Sequence, residues 1–156
     1  MGRTATGVRG VTLANDKDEV VGMIAINNSD VTVLVVSENG YGKRTDIEDY
    51  RVTNRGGKGV KTINVTEKTG ELVAIKDVTD NDDLMIINKS GIVIRIGVSD
   101  LRVMGRATQG VRLITLKGDD SIASIAKVEH EDEDEEITED GAVEGAETED
   151  QTPETE

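Results

Sequence analysis

The sequence contains no cysteine, phenylalanine or tryptophan, one histidine, one proline and two tyrosines. Without cysteine there is no disulfide framework, no thiolate nucleophile and no Cys-ligated zinc. A single histidine, His130, rules out paired imidazole ligands, and the remaining chain offers no Ser/His/Asp set or repeated metal-ligand spacing. The longest apolar runs, such as Val31–Val36, fall far short of the roughly 20 residues that cross a bilayer. No charged-then-apolar leader opens the chain. These absences together lead to the expectation of a soluble, cytoplasmic protein without metal or small-molecule chemistry of its own.

Charge is abundant but unevenly placed. The 156 residues carry 18 Lys+Arg and 32 Asp+Glu, a formal charge of −14. Residues 129–156 hold fifteen of the acids and no Lys or Arg, which leaves seventeen acids against all 18 basic residues in residues 1–128, a net of +1. The sequence therefore divides into a near-neutral body, 1–128, and a polyanionic tail, 129–156. The tail has little to bury and repels itself, so it is expected to be disordered.

The body repeats. Gly7 opens GVRGVTL, Gly59 opens GVKTINV and Gly110 opens GVRLITL, at spacings of 52 and 51 residues. Gly40 and Gly91, Arg44 and Arg95, Tyr50 and Leu101, and Arg51 and Arg102 keep the same 51-residue register. Each unit reads as short Val/Ile/Thr-rich strands separated by Asn, Asp, Gly and Ser. The predicted strands are Val8–Leu13, Val20–Ile26, Val31–Val36 and Tyr41–Thr45, then Val60–Val65, Leu72–Ile75, Leu84–Ile87 and Ile92–Ile96. Val111–Leu116 and Ile122–Val128 form a half unit. Asn39-Gly40 and Ser90-Gly91 suit hairpin turns, because glycine accepts positive φ. No long 3.6-residue apolar period appears, so the fold class is all-β.

A unit of about 50 residues with about four strands is the size of a propeller blade, and propellers usually need about four to eight blades. Two and a half units are too few to close one. The expectation is a C-terminal piece of a longer protein, or a chain that pairs with others to cover its open sheet edges.

Repetition also spaces the basic residues. Arg3, Arg55 and Arg106 recur, as do Arg9, Lys61 and Arg112, and Arg44 and Arg95, which places matched charges at regular intervals. Such a band could follow successive phosphates of a duplex, with counterion release supplying affinity. The plainer alternative is that they are strand-end charges paired with acids such as Asp46, Glu48 and Asp49. Strict alternation sets Arg9 on the face of Val11 and Leu13, and Lys61 on that of Ile63 and Val65. Either the regular strand begins later or a bulge re-aims the side chain. The loop Arg55-Gly56-Gly57-Lys58-Gly59 offers backbone amides and charge to an anion but lacks the spacing of a nucleotide-binding P-loop. Aromatic stacking on single strands would rest on Tyr41 and Tyr50 alone, and Leu101 in place of Tyr50 assigns that tyrosine to packing. A duplex held by its backbone fits better. Asp80–Asp83 lacks the glycine and distal glutamate of a calcium loop and reads as a polar connection.

The segments MGRTATGVRG (1–10), NGYGKRT (39–45) and MGRATQGV (104–111), with the acidic tail after them, resemble the C-terminal domain family of bacterial DNA gyrase A subunits. The resemblance covers roughly residues 1–128, in a specific motif order. It implies a six-bladed β-pinwheel, a propeller-like disc with its own strand exchange, whose basic rim is wrapped by DNA. This chain would supply about three blades. Also implied are double-stranded DNA as partner, the rest of the gyrase A subunit, with the gyrase B subunit in a heterotetramer of two A and two B, and bacterial cytoplasm as the location. The segment itself would be non-catalytic, with ATP and Mg acting elsewhere in the holoenzyme. Matched DNA-contacting candidates are Arg3, Arg9, Lys43, Arg44, Arg55, Lys58, Lys61, Arg95, Arg106 and Arg112. The family's basic box, Gln-Arg-Arg-Gly-Gly-Lys-Gly, is matched only over its last five positions, by Arg55–Gly59, in a later repeat. Neither Tyr41 nor Tyr50 matches the context of the strand-cleaving tyrosine. Two alternatives stand beside this reading: the related domain of topoisomerase IV, and a β-repeat module that binds protein. A tail that competes with DNA for the basic rim would tune wrapping; the alternative is a solubilising tail.

Overall fold

The computed structural model describes residues 2–130. Seven strands form: β1 (Thr32–Ser37), β2 (Tyr41–Asp46), β3 (Leu72–Val78), β4 (Asp82–Asn88), β5 (Val93–Gly97), β6 (Val111–Arg112) and β7 (Ile122–Glu129). One 3₁₀ turn, Ile47–Asp49, follows β2, and no α-helix occurs among the described residues. The strands sit where β-branched residues cluster, since these pack well on a pleated surface. Gly40 at φ +81° and Gly91 at φ +86° close the β1–β2 and β4–β5 hairpins, in the left-handed conformation that glycine tolerates.

The repeat becomes an exchange of strands. The first sheet has the order β3-β1-β2-β6 and the second β5-β4-β7, with every pairing antiparallel. Each hairpin therefore takes its neighbouring strand from the following repeat. Val35 lies opposite Ile75 in the first sheet, and Ile86, its equivalent, lies opposite Ile125 in the second. Both registers slip at the same place, between Val36 and Ser37 and between Ile87 and Asn88. A bulge that recurs at equivalent positions is a built feature of the unit, and it twists the strand end toward the hairpin turn.

The first sheet is buried on both faces, which explains the unbroken apolar run of β1. Leu34 and Val36 pack on one side with Val78, Leu84, Ile86, Val98, Leu101, Ile114, Ile122 and Ile125, a core shared between the two sheets. Val33 and Val35 face the other way, onto Ile63, Ile24, Ile47, Tyr50 and Ile75. Truncating a fully buried residue here, such as Leu34, costs about 2–5 kcal/mol. Tyr50 packs against this second cluster and meets the Thr62 hydroxyl, in keeping with its expected packing role.

Three predicted strands do not become strands. Val8–Leu13 and Val60–Val65 join neighbouring segments through isolated backbone bonds only, and Val20–Ile26 belongs to no strand. A strand exists only through the ladder it joins. Val20–Ile26 is the repeat equivalent of β3, but no preceding hairpin lies beside it among the described residues, and Val20, Val21 and Met23 stay exposed, the last at 90%. At the other end, β7 runs to Glu129, and the His130 N–H bonds the Asn81 carbonyl. The folded body thus extends two residues beyond the expected boundary at 128, because β7 needs Glu129 opposite Asp82. The rest of the acidic tail lies outside the described residues.

Candidate nucleic-acid interface

Each Gly-Val-(Arg/Lys) segment begins with a glycine at positive φ: Gly7 at +94°, Gly59 at +74° and Gly110 at +77°. Gly110 also lies so close to β2 that a Cβ would come 2.5 Å from the Gly42 carbonyl oxygen. Arg9, Lys61 and Arg112 are all exposed.

The conflict between strict alternation and an outward-facing cation is resolved just after Arg112. The N–H groups of Leu113 and Ile114 both point to the Gly40 carbonyl, at 2.8 and 3.4 Å. Two residues thus oppose one, the regular pairing ends, and the chain rotates so that Arg112 faces solvent while Ile114 is buried.

Backbone bonds set the basic segments in series. Thr12 N–H donates to the Gly57 carbonyl at 2.9 Å, Gly56 N–H donates to that of Gly10 at 2.8 Å, and the Thr12 hydroxyl donates to that of Gly56 at 2.6 Å. The Arg55–Gly59 loop is thereby stitched to the Arg9 segment of the unit before it. One repeat later Asn64 N–H donates to Thr108 O at 3.0 Å, and an Arg106 guanidinium N–H donates to Lys61 O at 3.0 Å. These bonds join the Arg9 segment to the Arg55–Lys58 loop, and Lys61 to Arg106. Arg3 lies close to Arg9 along the chain. Among the described residues, Arg3, Arg9, Arg55 and Lys58 are exposed and engage no acid.

The remaining three candidates are engaged by other groups of the chain: Lys43 and Arg44 are buried, and Arg95 is exposed but ion-paired. Lys43 is 1% exposed, and its ammonium donates to the carbonyls of Gly105, at 2.6 Å, and Arg106. Burial, and then the nearby Arg106 charge, hold its pKa below the ordinary lysine value. Lys43 therefore pins the Arg106 loop from beneath. Arg44 is buried and paired with Asp80 at 2.5 Å. Arg95 donates to buried Asp83 at 2.6 Å and to the Glu129 carbonyl at 3.2 Å. These two arginines are ion-paired to Asp80 and Asp83, not to Asp46, Glu48 or Asp49.

Sequence reasoning missed the Asp83 junction. Its second oxygen lies 2.8 Å from His130 Nδ1. The His130 hydrogen bond, joined by Arg95, holds the Asp83 carboxyl below its usual range against the opposing effect of burial. Asp82 in turn accepts from the Thr79 N–H and hydroxyl, so the aspartates at 80–83 serve as turn and ion-pair residues. Among the described residues no cluster of three or more acidic or histidine groups could hold a metal, and no helix is long and apolar enough to cross a membrane.

The family model described as "DNA gyrase C-terminal domain, beta-propeller" matches residues 1–27, 32–79 and 82–129. The DNA gyrase A subunit of Staphylococcus aureus strain MRSA252 is 53% identical over 148 residues, covering 90% of this chain but 17% of that relative's own length. A solved DNA gyrase A C-terminal domain superposes with a TM-score of 0.70 at 27% identity, over 78% of this chain and 41% of that one. The C-terminal domain of DNA topoisomerase IV shares the fold with a TM-score of 0.73 at 21% identity, over 81% of this chain and 39% of that one.

Proposed function

Because the chain belongs to the DNA gyrase C-terminal domain family of β-propellers, we propose that it binds duplex DNA along its basic track and helps to wrap it. In this role it would support ATP-dependent negative supercoiling by a holoenzyme of two A and two B subunits in the bacterial cytoplasm. The observation that carries this reading is the set of bonds that stitch the Gly-rich loops of successive units together, joining the segments of Arg9, Arg55 and Lys58, and those of Lys61 and Arg106; Arg112 follows further along the last segment. A wrapped duplex presents phosphates at regular intervals, and a repeat that places a cation in each unit is built to meet them. Few groups here can read base edges, so preference among sequences would come from the bendability of the DNA. Lys43, Arg44 and Arg95 act in this reading as supports. The segment contributes no catalytic residue; ATP and Mg act elsewhere in the assembly.

Neutralising Arg9, Lys61 and Arg112 together tests the track. The unaltered chain is expected to retard a relaxed duplex in a mobility-shift titration that weakens steeply with salt. Loss of about three phosphate contacts lowers the slope of log K against log salt by about 2.7. Equal binding by the triple variant would sink the track assignment, and a parent chain that ignores duplex at low salt would favour a protein-binding module. Identity of 53% to a gyrase A chain favours gyrase over topoisomerase IV as the parent assembly.

A further inference from the structure

A cleft of about 240 Å³ opens beside the start of β2, between the β1–β2 turn, the 66–70 turn and the segment after β6. Tyr41 forms one wall and is 8% exposed. Arg112 is its register partner across β2 and β6. Its guanidinium carbon stands 5.4 Å from the Tyr41 ring centroid, and a terminal N–H donates to the phenol oxygen at 2.9 Å. The Lys68 ammonium stands 5.5 Å from the same ring.

Backbone bonds build these walls. The Asn39 amide donates to the carbonyls of Glu67, at 3.1 Å, and Lys68, at 3.3 Å, while Asn39 N–H donates to Thr69 O at 3.2 Å. Lys68 is therefore seated against the β1–β2 turn. Gly40 holds the opposite wall, since its carbonyl receives the N–H groups of Leu113 and Ile114. Asp120 also lines the cleft, but its carboxylate accepts from Asn88, Ser90 and Ser121.

Two cations converge on one ring, and the ring's hydroxyl accepts from Arg112, which leaves its own proton to donate. The Arg112 hydrogen bond, and then the charges of Arg112 and Lys68, hold the Tyr41 phenol below its usual range, which makes it a better donor. A group that takes hydrogen bonds from an ammonium, a guanidinium and a phenol at once must be an anion rich in acceptor oxygens. The arrangement occurs once among the described residues: exposed Ile92 stands where the next unit would repeat Tyr41. It differs in this from the periodic track.

We propose that the Tyr41–Lys68–Arg112 cleft is a phosphate-binding site, in which a backbone phosphate of the duplex is fixed at a single point. The source of the phosphate, though not the chemistry of the site, rests on the duplex-binding reading above. The test uses the full chain with Lys68→Ala and Tyr41→Phe, neither of which removes a cation of the basic track. Inorganic phosphate is titrated while the Tyr41 ring resonances are followed, and a labelled duplex is titrated by fluorescence anisotropy at several salt concentrations. Phosphate should shift Tyr41 in the unaltered chain and not in Lys68→Ala. Duplex affinity should fall about tenfold in Lys68→Ala, with the salt slope lowered by about 0.9. Tyr41→Phe should lose about threefold with its slope unchanged, since a hydroxyl carries no counterion. Affinity losses of this pattern support the site whatever free phosphate does. A phosphate-dependent Tyr41 shift with unaltered duplex affinity assigns the site to a free phosphoryl group. If the parent chain binds no duplex while phosphate still moves Tyr41, the wrapping reading fails and the site stands. Tyr41 resonances indifferent to phosphate, with equal duplex binding in both variants, overturn it.

Discussion

Lys43 shows how a residue's neighbours decide its role. An exposed lysine beside phosphates would act as a point charge; a buried one bonded to two carbonyls acts as a clamp. Lys43→Met keeps the aliphatic stem but strands the Gly105 and Arg106 carbonyls, at a cost of about 1–3 kcal/mol in urea denaturation. Duplex affinity should fall while the salt slope holds, because the clamp meets no phosphate. A slope lowered by about 0.9 would return Lys43 to the interface. Asp83 makes a second prediction at this scale. Its folded pKa lies below the ordinary value of 3.8, so its contribution is complete above 3.8 and disappears as pH falls through the lower folded value. Asp83→Asn should be less stable than the parent at neutral pH and should show a shallower acid limb in thermal denaturation monitored from pH 6 downward. Matching acid limbs would remove Asp83 as the linked group.

The two hairpins differ as elements although their glycines match. Gly40 and Gly91 share positive φ, but only Gly40 is pressed on another segment, where a Cβ would stand 2.7 Å from the Ile114 carbonyl oxygen. A Cβ on Gly91 would meet open space. Gly91→Ala should therefore cost only the left-handed backbone penalty, about 1–2 kcal/mol. Gly40→Ala should cost more, and it should weaken duplex binding by lifting the Arg112 segment from its seat. Equal melting temperatures for the two variants would show that the β2–β6 contact is not fixed by that carbonyl. The same contact explains why β6 is only two residues long: pairing stops where the chain must turn Arg112 outward and Ile114 inward.

At the scale of the molecule, some of the apolar side chains left in water lie where a unit has no neighbour beside it. Val20, Val21 and Met23 lack the hairpin that their equivalents in β3 and β7 possess, and Ile92 and Val93 are exposed at the outer side of β5. Unpaired edges of this kind invite further strands. Removal of residues 131–156 probes the molecule as a whole. Glu129 and His130 remain, so the β7 amides should keep their protection from hydrogen exchange. Fourteen acids leave with the segment. If it competes for the basic track at high local concentration, duplex affinity should rise about tenfold or more. Unchanged affinity and salt slope would reduce it to a solubilising extension. Removing residues 129–156 instead should also loosen β7, by taking away the Glu129 partner of Asp82 and the His130 partner of Asp83.

Local sequence sufficed to define the repeating unit: its length of about 51 residues, its hairpin glycines and its β class, because these depend on backbone preference and on side-chain period. It also marked the Gly-Val-basic segments, each opened by a glycine at positive φ. Which strand joins which hairpin emerged only in the folded chain, since exchange between repeats leaves every local pattern unchanged. The same holds for which cations reach water. Lys43 and Lys58 look alike along the chain, each a lysine next to glycine in a predicted turn or strand start. In the fold, Lys43 is covered by the Gly105–Arg106 loop, whereas Lys58 stands exposed on the loop that carries Arg55. Burial is a property of what lies above a residue, and what lies above Lys43 comes from about 60 residues further along the chain.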